Sequence, residues 1–102
     1  MSPDDLFEAV VEKLGADPGV TQAKMFGSAG LKIDGKFFAS LYKGRLIVKL
    51  GEARVDELAA SGGGEHFDPG MGRRMREWAA VEPSTPEEWV ALAEESRAFV
   101  AP

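Results

Sequence analysis

The feature that most constrains this chain is a series of short apolar segments separated by glycine-containing turns, within residues 21–50. Asp34-Gly35 and Lys43-Gly44 each stand between two such segments, which is the spacing of a tight β-hairpin turn. Strands joined by turns this short pair antiparallel, because parallel strands need a long crossover. We therefore predict strands at residues 20–26, 29–33, 37–42 and 45–50, with a looser connection at residues 27–30.

The turn of the second hairpin predicts its strand register. A two-residue loop places Tyr42 opposite Arg45, and side chains then alternate between the two faces of the sheet. One face is wholly apolar and is predicted to pack on the core: Phe37, Ala39, Leu41, Leu46, Val48 and Leu50. The opposite, outward face carries aromatic and cationic residues: Phe38, Ser40, Tyr42, Arg45, Ile47 and Lys49.

The first hairpin allows two registers. A three-residue loop, with Gly35 in a left-handed bulge position, places Leu31 opposite Phe37. A two-residue loop places Leu31 opposite Phe38 instead. We favour the three-residue loop, because it keeps the apolar residues on one face.

Helix signals flank this segment on both sides. Ser2 is a predicted N-cap followed by Pro3, and Thr85 is a second predicted N-cap followed by Pro86. Apolar residues recur at helical spacing after each cap. A short helix is predicted at residues 52–60, ended by a glycine run, with a short strand at 65–67 and a last strand at 75–81.

Together these elements predict an α+β fold in a single domain covering residues 1–102. Its antiparallel β-sheet has four to five strands, flanked by N- and C-terminal helices and one short central helix. The chain has no cysteine, which excludes disulfides, a thiol nucleophile and Cys-ligated zinc. No apolar run approaches the roughly 20 residues that cross a bilayer, and the acidic N-terminus is not a signal peptide. We expect a cytoplasmic protein without a membrane partner or cofactor.

Catalytic and metal sites are not predicted. His66 is the only histidine and lies between Glu65 and Phe67, beside a glycine run. A loop or edge-strand role is the interpretation that we favour, since a catalytic histidine needs a partner acid or nucleophile. An enzyme that uses His66 is kept as a minor alternative.

Charge is distributed unevenly, and this favours a binding surface. Residues 21–50 contain six lysines and arginines against one acid, whereas the whole chain has a net charge of −5. A glycine-flanked run holds three more arginines, which can bind phosphate or carboxylate or can pair with the chain's own acids. The predicted contact residues for a partner or anion are Lys24, Phe38, Tyr42, Arg45, Lys49, Arg73, Arg74 and Arg76. Aromatics among cations suit a protein interface or single-stranded nucleic acid, and a helix packed over the outward face is the third alternative.

Several short motifs follow one another in order between about Met25 and Val81: Met25-Phe26-Gly27, Gly30-Leu31, Ile33-Asp34-Gly35-Lys36, Gly44-Arg45-Leu46, Val48-Lys49, Phe67-Asp68-Pro69 and Gly72-Arg73-Arg74-Met75-Arg76-Glu77-Trp78. In their order and spacing these motifs resemble the TfoX/Sxy N-terminal domain family.

The resemblance implies an α+β domain with an antiparallel sheet and flanking helices. It also implies a link to regulators of natural competence, which act with transcription machinery and are not known as enzymes, and it supplies no catalytic residues. We expect a stand-alone N-terminal module without the C-terminal helical domain of the full-length regulators. The predicted function is therefore a regulatory or adapter domain that binds a protein partner, with nucleic-acid binding as the alternative. A homodimer, through a sheet edge or the outward face, is a further expectation left open.

Overall fold

The computed structural model describes residues 1–25, 27–70, 72 and 75–102. Within these residues the elements are α1 (Pro3–Leu14), β1 (Val20–Met25), β2 (Ser28–Ile33), β3 (Lys36–Tyr42), β4 (Arg45–Lys49), α2 (Glu52–Ser61), β5 (Glu65–Phe67), β6 (Met75–Val81) and α3 (Pro86–Val100). The strands form one sheet in the order β1-β2-β3-β4-β6-β5, and every neighbouring pair is antiparallel. The predicted α+β fold is confirmed. The described sheet has six strands rather than four to five.

Local signals explain where the terminal helices begin. The Ser2 side chain accepts a hydrogen bond from the Asp5 amide, and the Asp5 carboxylate accepts one from the Ser2 amide, which completes a capping box. Thr85 caps α3 by accepting from the Glu88 amide. Both predicted N-caps are thus confirmed.

The helices pack on one face of the sheet. The main core cluster joins α1, α2 and α3 to inward residues of β2, β3, β4 and β6, with Trp89 of α3 fully buried. The opposite face has a separate small cluster, and its members all come from strands: Ile47, Phe67 and Ala80, with Tyr42, Met75 and Trp78 packed against them. In the described part of the chain, every helix residue of the core therefore belongs to the main cluster. We call the face that the helices cover the helical face and the opposite one the outer face.

The second hairpin has the predicted register. Tyr42 is paired with Arg45 and Ser40 with Ile47. Lys43 and Gly44 form the turn, and both have positive φ angles, as a type I′ turn requires. Since this turn fixes the pairing, Arg45, Ile47 and Lys49 lie on the outer face.

The first hairpin departs from both predicted registers. Its turn is a two-residue loop, with Ile33 paired with Lys36 and both turn residues at positive φ. Lys32 is then paired with Phe37, but Leu31 is paired with Ala39. The preferred three-residue loop was wrong, and so was the pairing of Leu31 with Phe38.

A β-bulge at Phe38 explains the difference. Phe38 is the extra residue on β3 between two pairings, so strict alternation fails at this point. Phe38 joins Ala39 in the main core, and both are fully buried. Phe37 lies instead on the outer face, where its ring covers Gly30: a Cβ added there would lie 3.2 Å from the ring. The predicted faces of Phe37 and Phe38 were therefore exchanged.

One buried hydroxyl holds the bulge against α3. Ser96 is fully buried, and its Oγ donates to the Phe38 carbonyl at 2.6 Å. The same Oγ accepts from the Lys49 amide at 3.1 Å. A bulge disrupts the ladder, so its backbone groups need other partners when they are buried. Ser96 thereby links α3 to both β3 and β4.

Ser96→Ala should lower the free energy of unfolding by about 1–3 kcal/mol, because two backbone groups lose a buried hydrogen-bond partner. Ser84→Ala, at an exposed position between β6 and α3, is the matched control and should change stability by no more than about 0.5 kcal/mol. Chemical denaturation of both variants measures the difference. Equal stability of the two variants would contradict the role given to Ser96.

A second link joins α3 to the turn before β1. Arg97 donates from Nε to Asp17 Oδ2 at 2.9 Å, and its Nη2 lies 2.7 Å from the same oxygen. The other oxygen of Asp17 accepts from the Gly19 amide at 2.9 Å. The amide of Gly19 and then the Arg97 guanidinium lower the pKa of Asp17 below its ordinary value of 3.8.

The Asp17 interaction predicts a pH-dependent contribution to stability. A carboxylate whose pKa is lower in the folded state stabilises the fold above its unfolded pKa and loses this effect as pH falls through the folded value. Asp17→Asn should therefore lower the melting temperature at neutral pH, and the difference from wild type should shrink below about pH 4. Glu94→Gln, an exposed acid on α3, is the control. A difference that stays constant down to pH 2 would argue against this assignment.

Candidate partner-binding surface

The outer face combines aromatic and cationic side chains. From β2 to β6 it presents Lys32, Phe37, Ser40, Tyr42, Arg45, Ile47, Lys49, Trp78 and Ala80, as the register and the two clusters place them. Its central residues are buried, since Ser40, Ile47 and Ala80 are at most 2% exposed. The half-buried rings of Phe37, Tyr42 and Trp78 form the layer above.

The aromatic layer is held in place from beneath. Tyr42 packs edge-on against Phe67, with ring centroids 5.6 Å apart and planes at 83°. Phe67 is fully buried on β5, and Trp78 lies beside the same cluster on β6. Rings fixed in this way lose little further conformational freedom on binding.

Lysines surround these rings. The Lys32 ammonium lies 4.7 Å from the centroid of the Phe37 ring, and that of Lys43 lies 5.4 Å from the Tyr42 ring. Both distances suit cation–π contacts. In residues that the structure describes, Lys32 and Lys49 have no carboxylate within ion-pair distance. Their charge is therefore available to an acidic ligand.

Arg45 differs from these lysines because the chain supplies its counterions. Its Nη1 forms a hydrogen-bonded ion pair with Glu65 on β5, and its Nε lies 3.9 Å from a carboxylate oxygen of Glu82. The adjacent cleft, of about 360 Å³, is lined by Glu65, Glu82 and Glu88 together with glycine backbone. This end of the outer face is therefore acidic rather than basic.

The predicted contact residues do not form one surface. Tyr42, Arg45 and Lys49 lie on the outer face. Lys24 lies on β1, in a groove beside α1 and towards the helical face. Phe38 was placed wrongly on the outward face: the bulge turns it into the core, where it is fully buried.

Of the three arginines in the glycine-flanked run, the structure describes Arg76. Arg76 is 78% exposed, and its Nη1 lies 3.8 Å from Glu52. Such an exposed pair adds little to stability, so Arg76 stays accessible. Arg73 and Arg74 lie outside the described residues, and their predicted contacts stay predictions.

Two outer-face residues were not among the predicted contacts. Phe37 was assigned to the core because the alternation was assumed to be unbroken, and Trp78 was noted as part of a family motif. The glycine at position 30 is a signal for Phe37, since a large ring often covers a strand glycine that has no side chain of its own. The period-two alternation of β6 is the signal for Trp78.

His66 contacts an acidic residue of α2. Its Nε2 lies 2.8 Å from Asp56 Oδ1, which joins β5 to α2. The described residues contain no group of three or more His, Cys, Asp or Glu side chains arranged to hold a metal ion. Among the same residues, no helix is long and apolar enough to span a membrane.

The family model described as the TfoX N-terminal domain matches residues 12–99, which is most of the 102-residue chain. The chain belongs to the TfoX N-terminal domain family. This confirms the resemblance inferred from the motifs. A search of curated proteins gave no match.

The bulge makes a sharp prediction about two neighbouring phenylalanines. Phe38→Ala should lower the free energy of unfolding by about 3–5 kcal/mol, because it leaves a cavity in the main core. Phe37→Ala should cost less than half of this, since Phe37 is half-buried and lies on the outer face beside Gly30 and Lys32. Urea denaturation compares the two variants. A larger loss for Phe37→Ala would mean that the two rings have been assigned to the wrong faces.

Proposed function

We propose that this chain is a non-enzymatic adapter domain, which binds an acidic segment of a protein partner on its outer face. The observation that carries the proposal is the combination of half-buried rings with lysines that have no counterion among the described residues. Aromatic side chains supply most of the binding energy of typical protein interfaces. Unpaired lysines add attraction to an acidic partner and suppress basic ones.

The distribution of charge between the layers supports an acidic partner. The three helices carry eleven acidic residues against three basic ones, whereas the six strands carry six basic residues against two acidic ones. An acidic segment is therefore repelled by the helical layer and attracted by the sheet. On the outer face this attraction comes from Lys32 and Lys49, because Arg45 is paired with Glu65 and Glu82, and it speeds association with an acidic segment.

Family membership supports a regulatory role. The TfoX resemblance implies regulators of natural competence that act with transcription machinery, and this is the partner class that we propose. The absence of cysteine fits a cytoplasmic location, which we include in the proposal. The contact between His66 and Asp56 joins β5 to α2, and we propose that the role of this histidine is structural.

Single-stranded nucleic acid is the second candidate ligand of the outer face. Bases stack on exposed rings, and lysines contact the phosphates, so Phe37, Tyr42 and Trp78 beside Lys32 and Lys49 suit this chemistry as well. The acidic pair Glu65 and Glu82 at the Arg45 end is unfavourable for either anionic ligand. We rank an acidic protein segment first because the TfoX resemblance implies regulators that act with transcription machinery.

Affinity capture from cell extract with matched charge variants tests the proposal. The outer-face variant Lys32→Glu/Lys49→Glu should retain a partner roughly tenfold less than wild type, which is equivalent to about 1.4 kcal/mol. Lys13→Glu/Lys36→Glu changes the net charge by the same amount at exposed positions on α1 and at the start of β3, and should behave as wild type. Circular dichroism checks that both variants are folded.

Nuclease treatment of the extract separates the two ligands. A protein that is still captured after nuclease treatment, and lost only with the outer-face variant, supports the adapter function. Loss of all capture after nuclease treatment, together with oligothymidylate binding that falls steeply with salt, supports nucleic acid instead. Equal capture by wild type and the outer-face variant would contradict both.

A further inference from the structure

The two edges of the sheet differ in a way that points to a second binding site. β5 ends the sheet with three residues, which is too short to accept another strand over any length. β1 ends the other side with six residues and, among the described residues, pairs only with β2. A long edge strand offers a row of unpaired backbone donors and acceptors, which natural proteins normally protect with proline, bulges or several charges. β1 has one charge, Lys24, and an unbroken register with β2.

A groove lies directly beside this edge. It has a volume of about 330 Å³ and is bounded by Phe7 and Val11 of α1 and by residues of β1 and β2. Gln22 is paired with the core residue Leu31, so Gln22 and Lys24 both point towards the helical face and the groove. The groove is thus apolar on its α1 side and polar along the edge strand.

Lys24 gives the groove a positive charge at one end. It is exposed and has no ion pair in the described part of the chain. A side chain directly opposite on an added strand would have its Cβ about 4.5–5.5 Å away, where opposite charges attract. The side chain two residues further on the added strand would face Gln22 and could reach Phe7 and Val11.

We propose that β1 binds an extended peptide segment of a protein partner as a seventh strand. The segment carries an acidic residue opposite Lys24 and, two residues later in the antiparallel direction, an apolar residue that enters the groove. Main-chain hydrogen bonds to β1 supply affinity, and the two alternate side chains supply specificity, as in other cases of strand addition.

Charge favours a foreign segment over a second copy of β1. The β1 sequence VTQAKM contains a lysine and no acid. An antiparallel ribbon of two β1 strands would therefore hold two lysines without a counterion, which is unfavourable. An acidic partner strand removes this cost.

This site is independent of the outer face. Lys24 faces the helical side of the sheet, whereas Lys32 and Lys49 face the other. Failure of one site would leave the other intact, and variants of each site serve as controls for the other.

A synthetic peptide tests the proposal directly. The probe is acetyl-Thr-Val-Thr-Glu-Thr-Leu-Thr-Val-amide, titrated into the ¹⁵N-labelled protein while amide shifts are recorded. We expect saturable binding with shifts concentrated in β1 and around Phe7 and Val11, and slower hydrogen exchange along β1. A peptide with Lys in place of Glu should bind more weakly, and one N-methylated at alternate residues should not bind.

Charge reversal of the protein completes the test. Lys24→Glu should weaken binding of the acidic peptide roughly tenfold and strengthen binding of the Lys peptide, because attraction and repulsion are exchanged. Lys36→Glu, another exposed strand lysine, and the outer-face variant Lys32→Glu/Lys49→Glu should bind as wild type.

Three results would overturn the proposal. They are no saturable binding of the acidic peptide, shifts that map away from β1, and equal binding by wild type and Lys24→Glu. Sedimentation without peptide adds a fourth: a dimer abolished by Lys24→Glu would assign the edge to a second copy of the chain.

Discussion

The hydroxyl of Ser96 holds together the part of the fold on which the binding surface depends. It donates to the carbonyl of Phe38 and accepts from the amide of Lys49, so one side chain of α3 satisfies a bulge on β3 and the end of β4. Because the bulge inserts one residue, Phe38 enters the core and Phe37 is left on the outer face. Without the bulge, simple alternation would exchange the two rings and remove Phe37 from the surface that we propose binds a partner.

Local signals predict most of the fold. The Ser2 and Thr85 caps, and the Lys43-Gly44 turn with its register, are contained in a few adjacent residues, and the structure confirms them. The bulge could not be predicted in this way, because its cost is offset by Ser96, which lies 58 residues further along the chain. The outer-face positions of Tyr42 and Lys49 could be predicted from the turn and its register. The ion pair of Arg45 with Glu65 could not, because it depends on how β5, β6 and β4 align. Interactions of this kind have no sequence signature.

The separation of charge between the layers links the fold to the proposed function. The helical layer is strongly acidic and the sheet is basic, although the net charge is only −5. Ion pairs such as those of Arg54 with Glu95 and of Arg97 with Asp17 use basic residues of the helices to join elements together. The lysines of the sheet have no such partners in the described residues, and we propose that they serve binding. The outer face and the β1 edge are the two separate places where we propose that an acidic partner binds.

The most direct test of the account is the solvent accessibility of each ring. Selective labelling of phenylalanine and tryptophan, with a soluble paramagnetic probe in the NMR sample, reports how close each ring comes to solvent. The account predicts strong relaxation of Phe37 and the indole of Trp78, and protection of Phe38 and Trp89. A relaxed Phe38 beside a protected Phe37 would contradict the bulge, and with it the composition of the outer face.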